Sequence, residues 1–331
     1  MTGMTDIARV LGANIANQVG GTFLLPGSTF SLAALGVSLL VFVAAVLAGK
    51  RRRRIRRAAL TRALFPRRMV RTASGRTDLA FFIGGILFSG MTIGWAVLAA
   101  RDIRAAIERL AGPPPGPLLP HWIAIPAVTL LLFVAYEFAY WLDHWLKHRV
   151  AFFWQFHKVH HQAESLSLLT NARVHPVDTI IFYNIVAVVT GATAALAGRL
   201  VGDVGPVAVG GTNALIMVSA VAITHLQHSH LWLRFGPRGS TWLLGPAHHQ
   251  IHHSADPQHF DRNLGSTLAI FDRAFGTFFL PPTQRGAIRF GVDDGEPNPH
   301  GWRATLFTPF AAAAALLVPR SRIKNEALAK E

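Results

Sequence analysis

The stretch Trp154-Gln155-Phe156-His157-Lys158-Val159-His160-His161 carries three imidazoles at i, i+3 and i+4. On a helical turn that spacing puts them on one face. Two other segments follow the same logic, His144-x-x-x-His148 upstream and His249-x-x-His252-His253 downstream. Eight of the sixteen histidines thus fall into three clusters, too many ligands for one ion and about right for two. Imidazole is the commonest metal-ligating side chain and suits first-row transition metals. The pattern points to helices that assemble an oxygen-activating dinuclear iron site.

Around the clusters the 331-residue chain is apolar: 51% of residues are hydrophobic and only 15% charged. A soluble domain carries about 25% charged residues, so much of this surface is expected to face lipid. The absence of cysteine rules out disulfides, zinc–thiolate sites and cysteine-ligated iron–sulfur clusters. Residues 30–49, 80–100, 121–142, 177–197 and 204–224 read as membrane spans, each near the ~20 residues needed to cross a bilayer. The last two read as a helical hairpin, whereas 304–318 is short for a span and suits either a re-entrant segment or the interface. The expected fold is all-α: a polytopic membrane protein with about five transmembrane helices and a cytoplasmic histidine-rich helical cap.

Orientation follows from charge. Lys50, Arg51 to Arg54, Arg56, Arg57, Arg62, Arg67, Arg68 and Arg71 follow the first span, and the positive-inside rule places that loop in the cytoplasm. Alternation then puts 143–176 and 225–303, with every clustered histidine, on the cytoplasmic side of a multi-pass protein. Arg101, Arg104 and Arg109 after span two lean the other way but are fewer. The N-terminus is expected outside, and residues 1–25 lack the order of a signal peptide. A net charge of +15 could suggest nucleic acid. Here the charge is juxtamembrane, so membrane topology and anionic lipid explain it, and no nucleic-acid partner is expected. Gly112 to Pro117 is a stiff turn that divides the chain. Residues 1–120 read as an N-terminal membrane region, 121–303 as the catalytic domain and 304–331 as an apolar segment with a polar tail.

Outside the clusters, His228 is favoured as a further ligand; His225 is a possible addition, as is His175, for which a role at the start of a helix is equally open. His248 stands beside a good motif and substitutes for a neighbour if the register shifts. Asp143, Glu164 and Asp178 are candidates to orient ligand imidazoles, although Asp143 is also spaced to pair with Lys147. Trp141, Trp145, Phe152, Phe153 and Trp154 suit either a lipid cleft or an interfacial aromatic belt.

These motifs resemble those of the fatty acid hydroxylase/sterol desaturase superfamily of integral membrane di-iron enzymes. The segment Trp154 to Glu164 is similar to its W-x-F-H-x-V-H-H-x-x-E, and Arg173 to Asp178 to its R-x-H-P-x-E/D. Gln227-His228-Ser229 resembles its H-S-N region, with His230 where asparagine is usual; His249 to Ser254 resembles its H-x-x-H-H-S. Asn263-Leu264-Gly265 and Phe271 to Thr277 are similar to N-Y-G and W-D-R-L-F-G-T, with departures at Leu264, Phe271 and Ala274. The resemblance covers residues 128–280.

The resemblance implies two irons per chain held by His144, His148, His157, His160, His161, His228, His249, His252 and His253. It also implies O₂-dependent hydroxylation or desaturation of a lipid C–H bond, sterol-like or fatty acyl. No Rossmann or flavin fingerprint is present, so electrons are expected from an external cytochrome or ferredoxin with its reductase. Three other readings stay open. A histidine-rich metal transporter would hold ligands at mid-membrane depth, a b-type cytochrome would bury axial histidines inside spans, and a non-catalytic metal-binding protein would keep the motifs alone.

Overall fold

The computed structural model describes residues 2–25, 27–48, 67–93, 97–295 and 298–318. The basic run from Lys50 to Arg57 with Arg62, and the tail from Arg320 to Glu331, lie outside the described residues. In chain order the longer helices are α1 Thr2–Leu24, α2 Leu32–Ala48, α3 Ala73–Ile93, α4 Ala100–Ala111, α5 His121–Arg149, α6 Ala151–His161, α7 Pro176–Val201, α8 Ala214–Ala222, α9 Pro246–His252 and α10 Trp302–Leu317. One two-stranded antiparallel ribbon, Ala208–Val209 with Thr212–Asn213, interrupts them.

Among the described residues two helices are long and apolar enough to cross a membrane, α5 with 29 residues and α7 with 26. At 1.5 Å per residue α5 is about 43 Å long, against a hydrocarbon core of about 30 Å. Its last turns, with His144 and His148, therefore reach beyond the length a bilayer requires. The first expected span coincides with α2, which has 17 residues. The second starts earlier than expected, since α3 runs Ala73–Ile93, and Ala100–Ala111 is a separate amphipathic helix.

The expected fifth span, 204–224, is not a single helix. Gly205-Pro206 breaks it, Gly210 and Gly211 take positive φ of 57° and 79° in the ribbon turn, and α8 has only nine residues. Hydropathy had outweighed these turn signals, which the backbone obeys.

Helices α5 and α7 pack antiparallel. Lys147 at the end of α5 meets Asp178 at the start of α7. At the opposite end Leu118, just before α5, donates its N–H to Val201 O. Helix α4 lies along the second half of α7, where Gly191 and Gly198 allow close approach: a Cβ on Gly191 would sit 2.5 Å from Ala100 O. Helix α10 closes over α6, with Phe310 against Phe156 at 5.4 Å between ring centroids. The polar core therefore gathers at one end of the α5–α7 pair.

Candidate metal centre

Three local features deliver the clustered histidines. Val150, extended at φ −98° and ψ 109°, ends α5 and caps α6, so His144 and His148 leave one helix as His157, His160 and His161 enter the next. Helix α9 begins with Gly245 as N-cap and Pro246 in its first turn, a favoured start. It carries His249 and His252, with His253 as its C-cap. His228 follows the 3₁₀ turn Thr224–Leu226.

The nine rings sort into two groups. His144, His148, His157, His161 and His252 form one, and His160, His228, His249 and His253 the other; within each group the possible ligand atoms lie within 4.8 Å of one another. The groups abut, with the His161 and His253 rings stacked at 4.5 Å.

The outward nitrogens of six rings are pinned. His144 Nδ1 lies 2.8 Å from Leu264 O, His252 Nδ1 3.0 Å from Arg262 O and His160 Nδ1 3.1 Å from Arg173 O. His157 Nδ1 meets Asp178 Oδ2 at 3.0 Å, His148 Nδ1 meets Asp261 Oδ1 at 3.2 Å and His228 Nδ1 meets Asn171 Oδ1 at 2.7 Å. Carbonyl and carboxylate oxygens only accept, so each of these Nδ1 atoms carries the proton and donates. In a neutral ring the inner Nε2 is then a bare lone pair.

Those lone pairs converge. His228 Nε2 lies 2.9 Å from His160 Nε2, and the Nε2 atoms of His144, His148 and His157 are buried without a hydrogen-bond partner. Two acceptors at that distance repel, and each unsatisfied buried polar atom costs about 1–3 kcal/mol. A bound cation removes both costs, so the donor set fits a metal. Burial favours the neutral form of six of the rings: it pushes His228 down to about 3 and His160, His161, His249, His252 and His253 well below the usual histidine range. For those five, neighbouring imidazoles add to the depression. The neutral form is the one that ligates.

His175, His225 and His248 stand outside both groups. His175 caps α7, accepting the Val177 N–H at Nδ1 and donating from Nε2 to Leu306 O. His248 does the same for α9, with Gly245 N–H on Nδ1 and Ser240 O on Nε2. Neither retains a free lone pair. His225 donates from Nδ1 to Ala220 O.

Of the carboxylates, Asp178 holds His157, while Asp143 pairs with Lys147 at 2.6 Å and Lys147 also meets Asp178. Glu164 lies 3.0 Å from His300. Sequence reasoning missed Asp261 and Asn171. Asp261 sits in a left-handed turn, and only the packed loop brings it to His148. Asn171 stands two residues before the motif that begins at Arg173, and nothing in its local sequence points to His228. Among the aromatics, Trp141 is buried against Phe275 at 4.3 Å, and Trp154 stands 5.2 Å from His148 and 5.4 Å from His161.

Residues 129–277, which contain all nine of these histidines, match the model of the fatty acid hydroxylase family. The match spans less than half of the chain. Proteins similar to this segment include alkylglycerol monooxygenases from Xenopus tropicalis, 28% identical over 166 residues, and Caenorhabditis elegans, 26% over 151 residues. The human alkylglycerol monooxygenase is 26% identical over 158 residues. These matches cover 46%, 43% and 44% of this chain but only 31%, 25% and 29% of the relatives. No solved structure matches significantly.

Proposed function

We propose that the protein is a multi-pass membrane hydroxylase that uses two irons and O₂ to oxidise a C–H bond of a lipid. One observation carries this reading: nine imidazoles converge in two adjacent groups, and in six of them the outward proton is fixed so that the inner lone pair faces its neighbours. His144, His148, His157, His161 and His252 would hold one ion, and His160, His228, His249 and His253 the other. Iron so bound supplies O₂ activation for attack on an unactivated C–H bond. The chain's own contribution is to keep the imidazoles neutral, to orient them through fixed outer partners and to exclude water by burial.

Hydroxylation rather than desaturation is favoured by the relatives, which are monooxygenases, and their name makes alkylglycerols the first lipids to test. Helices α5 and α7 act as spans, with the histidine end on the cytoplasmic side. Electrons come from an external donor. Metal analysis with Mössbauer spectra on detergent-purified protein tests this, comparing wild type with the His160→Ala/His252→Ala double variant. About two irons per chain, lost in the variant, support the reading. Absence of iron after anaerobic reconstitution, with another metal bound alike in both proteins, favours a transporter or binding protein instead.

A further inference from the structure

The four-histidine group leans on one short turn. Asn171 Oδ1 accepts from His228, and Arg173 O accepts from His160, so both anchors lie in or beside the 3₁₀ turn Leu168–Ala172. The turn is in turn held by Asp78 in α3, 92 residues before Thr170. Asp78 is completely buried. Its Oδ2 accepts from Thr170 Oγ1 at 2.7 Å, and its Oδ1 receives Arg173 Nη1 at 3.2 Å. Thr170 Oγ1 also accepts the Ser167 N–H at 3.0 Å, which closes the start of the turn. Arg173, itself fully buried, spends Nε on Val159 O at 2.8 Å, within the helix that carries His160. One carboxylate thus grips the turn on both sides of Asn171.

The five-histidine group has different supports: Asp178, Asp261, Arg262 O and Leu264 O. We propose that Asp78, outside the matched segment 129–277, is a positioning residue for the metal held by His160, His228, His249 and His253, acting through the Thr170–Arg173 turn. The proposal rests on the two-ion reading above. It makes the N-terminal region part of the metal centre, and it predicts a selective defect. Losing the carboxylate's charge loosens Arg173 and Thr170, so His160 and His228 lose their fixed orientation while the supports of the five-histidine group stay in place.

The test is an anaerobic Co²⁺ titration of the full chain in detergent, followed by the visible absorption of cobalt bound to imidazole. His228→Ala identifies which binding step belongs to the four-histidine group. Asp78→Asn is expected to weaken that step about tenfold or more, in line with outer partners of metal ligands, and to leave the other within about twofold. Thr170→Val, which removes only the hydroxyl, should weaken the same step by a smaller factor and guards against a folding defect in the first variant. Equal weakening of both steps, or wild-type affinities in both variants, overturns the proposal. A wild-type chain that takes up fewer than two cobalt ions overturns the two-ion reading, and the proposal with it.

Discussion

At Asp261 the backbone turns left-handed, with φ 57°, and Asn263 follows at 56°. Such values suit Asp and Asn better than branched residues. Between and after them, the carbonyls of Arg262 and Leu264 reach His252 and His144, while the Asp261 carboxylate reaches His148. Asp261→Ala should weaken metal binding at the five-histidine group by about 10- to 100-fold, whereas Asp261→Asn, which keeps the acceptor oxygen, should lose less; competitive chelator titration separates the two. The depressed histidines carry a second prediction at this scale. Their folded pKa values lie below the unfolded value of about 6.5, so the unfolded chain binds more protons in acid. The metal-free protein should hold its full stability above about pH 6.5 and lose it progressively as pH falls from there towards the folded values, about 3 for His228. Denaturation midpoints measured across pH 4–8 check the slope, and a flat profile contradicts it.

Between elements, the α4–α7 contact tolerates no side chain at Gly191, where a Cβ would meet Ala100 O at 2.5 Å and Ile103 Cβ at 2.8 Å. Gly191→Val should therefore destabilise the protein by about 1–3 kcal/mol through overpacking, read as a lower thermal midpoint in detergent; an unchanged midpoint means that α4 does not dock there. This contact also marks where sequence reading stopped. Imidazole spacing is a local, 3.6-residue signal, so the helices bearing the clusters and their eight histidines were legible from residues alone, whereas His228 stands outside the three clusters. Asn171, Asp261 and Asp78 act across 57, 113 and 95 residues respectively, on His228, His148 and Arg173, and no local pattern encodes such meetings. His248 was ambiguous because four histidines in six residues look alike until the capping geometry of α9 claims one of them.

For the whole molecule, the lack of cysteine makes membrane sidedness directly measurable. The proposed orientation expects Arg262→Cys, at the histidine end, to react with an impermeant maleimide only from the cytoplasmic side. Leu118→Cys, at the opposite end of the α5–α7 pair, should react only from the other. Labelling of both from one side would refute α5 and α7 as spans. Hydropathy reads 204–224 as one long helix, because apolar composition does not distinguish a span from a segment that Gly and Pro fold back on itself.

Three of the six pinned imidazoles end on main-chain oxygens, at Leu264, Arg262 and Arg173, and three on the side chains of Asp178, Asp261 and Asn171. A carbonyl survives any substitution that leaves the backbone in place. Half of the centre's outer scaffold is thereby insulated from point mutation, and selection on those positions acts on loop shape rather than residue identity. Leu264 shows the point: its side chain is fully buried, yet what His144 meets is its carbonyl oxygen. Any substitution there that preserves the packing and the loop keeps the anchor of His144.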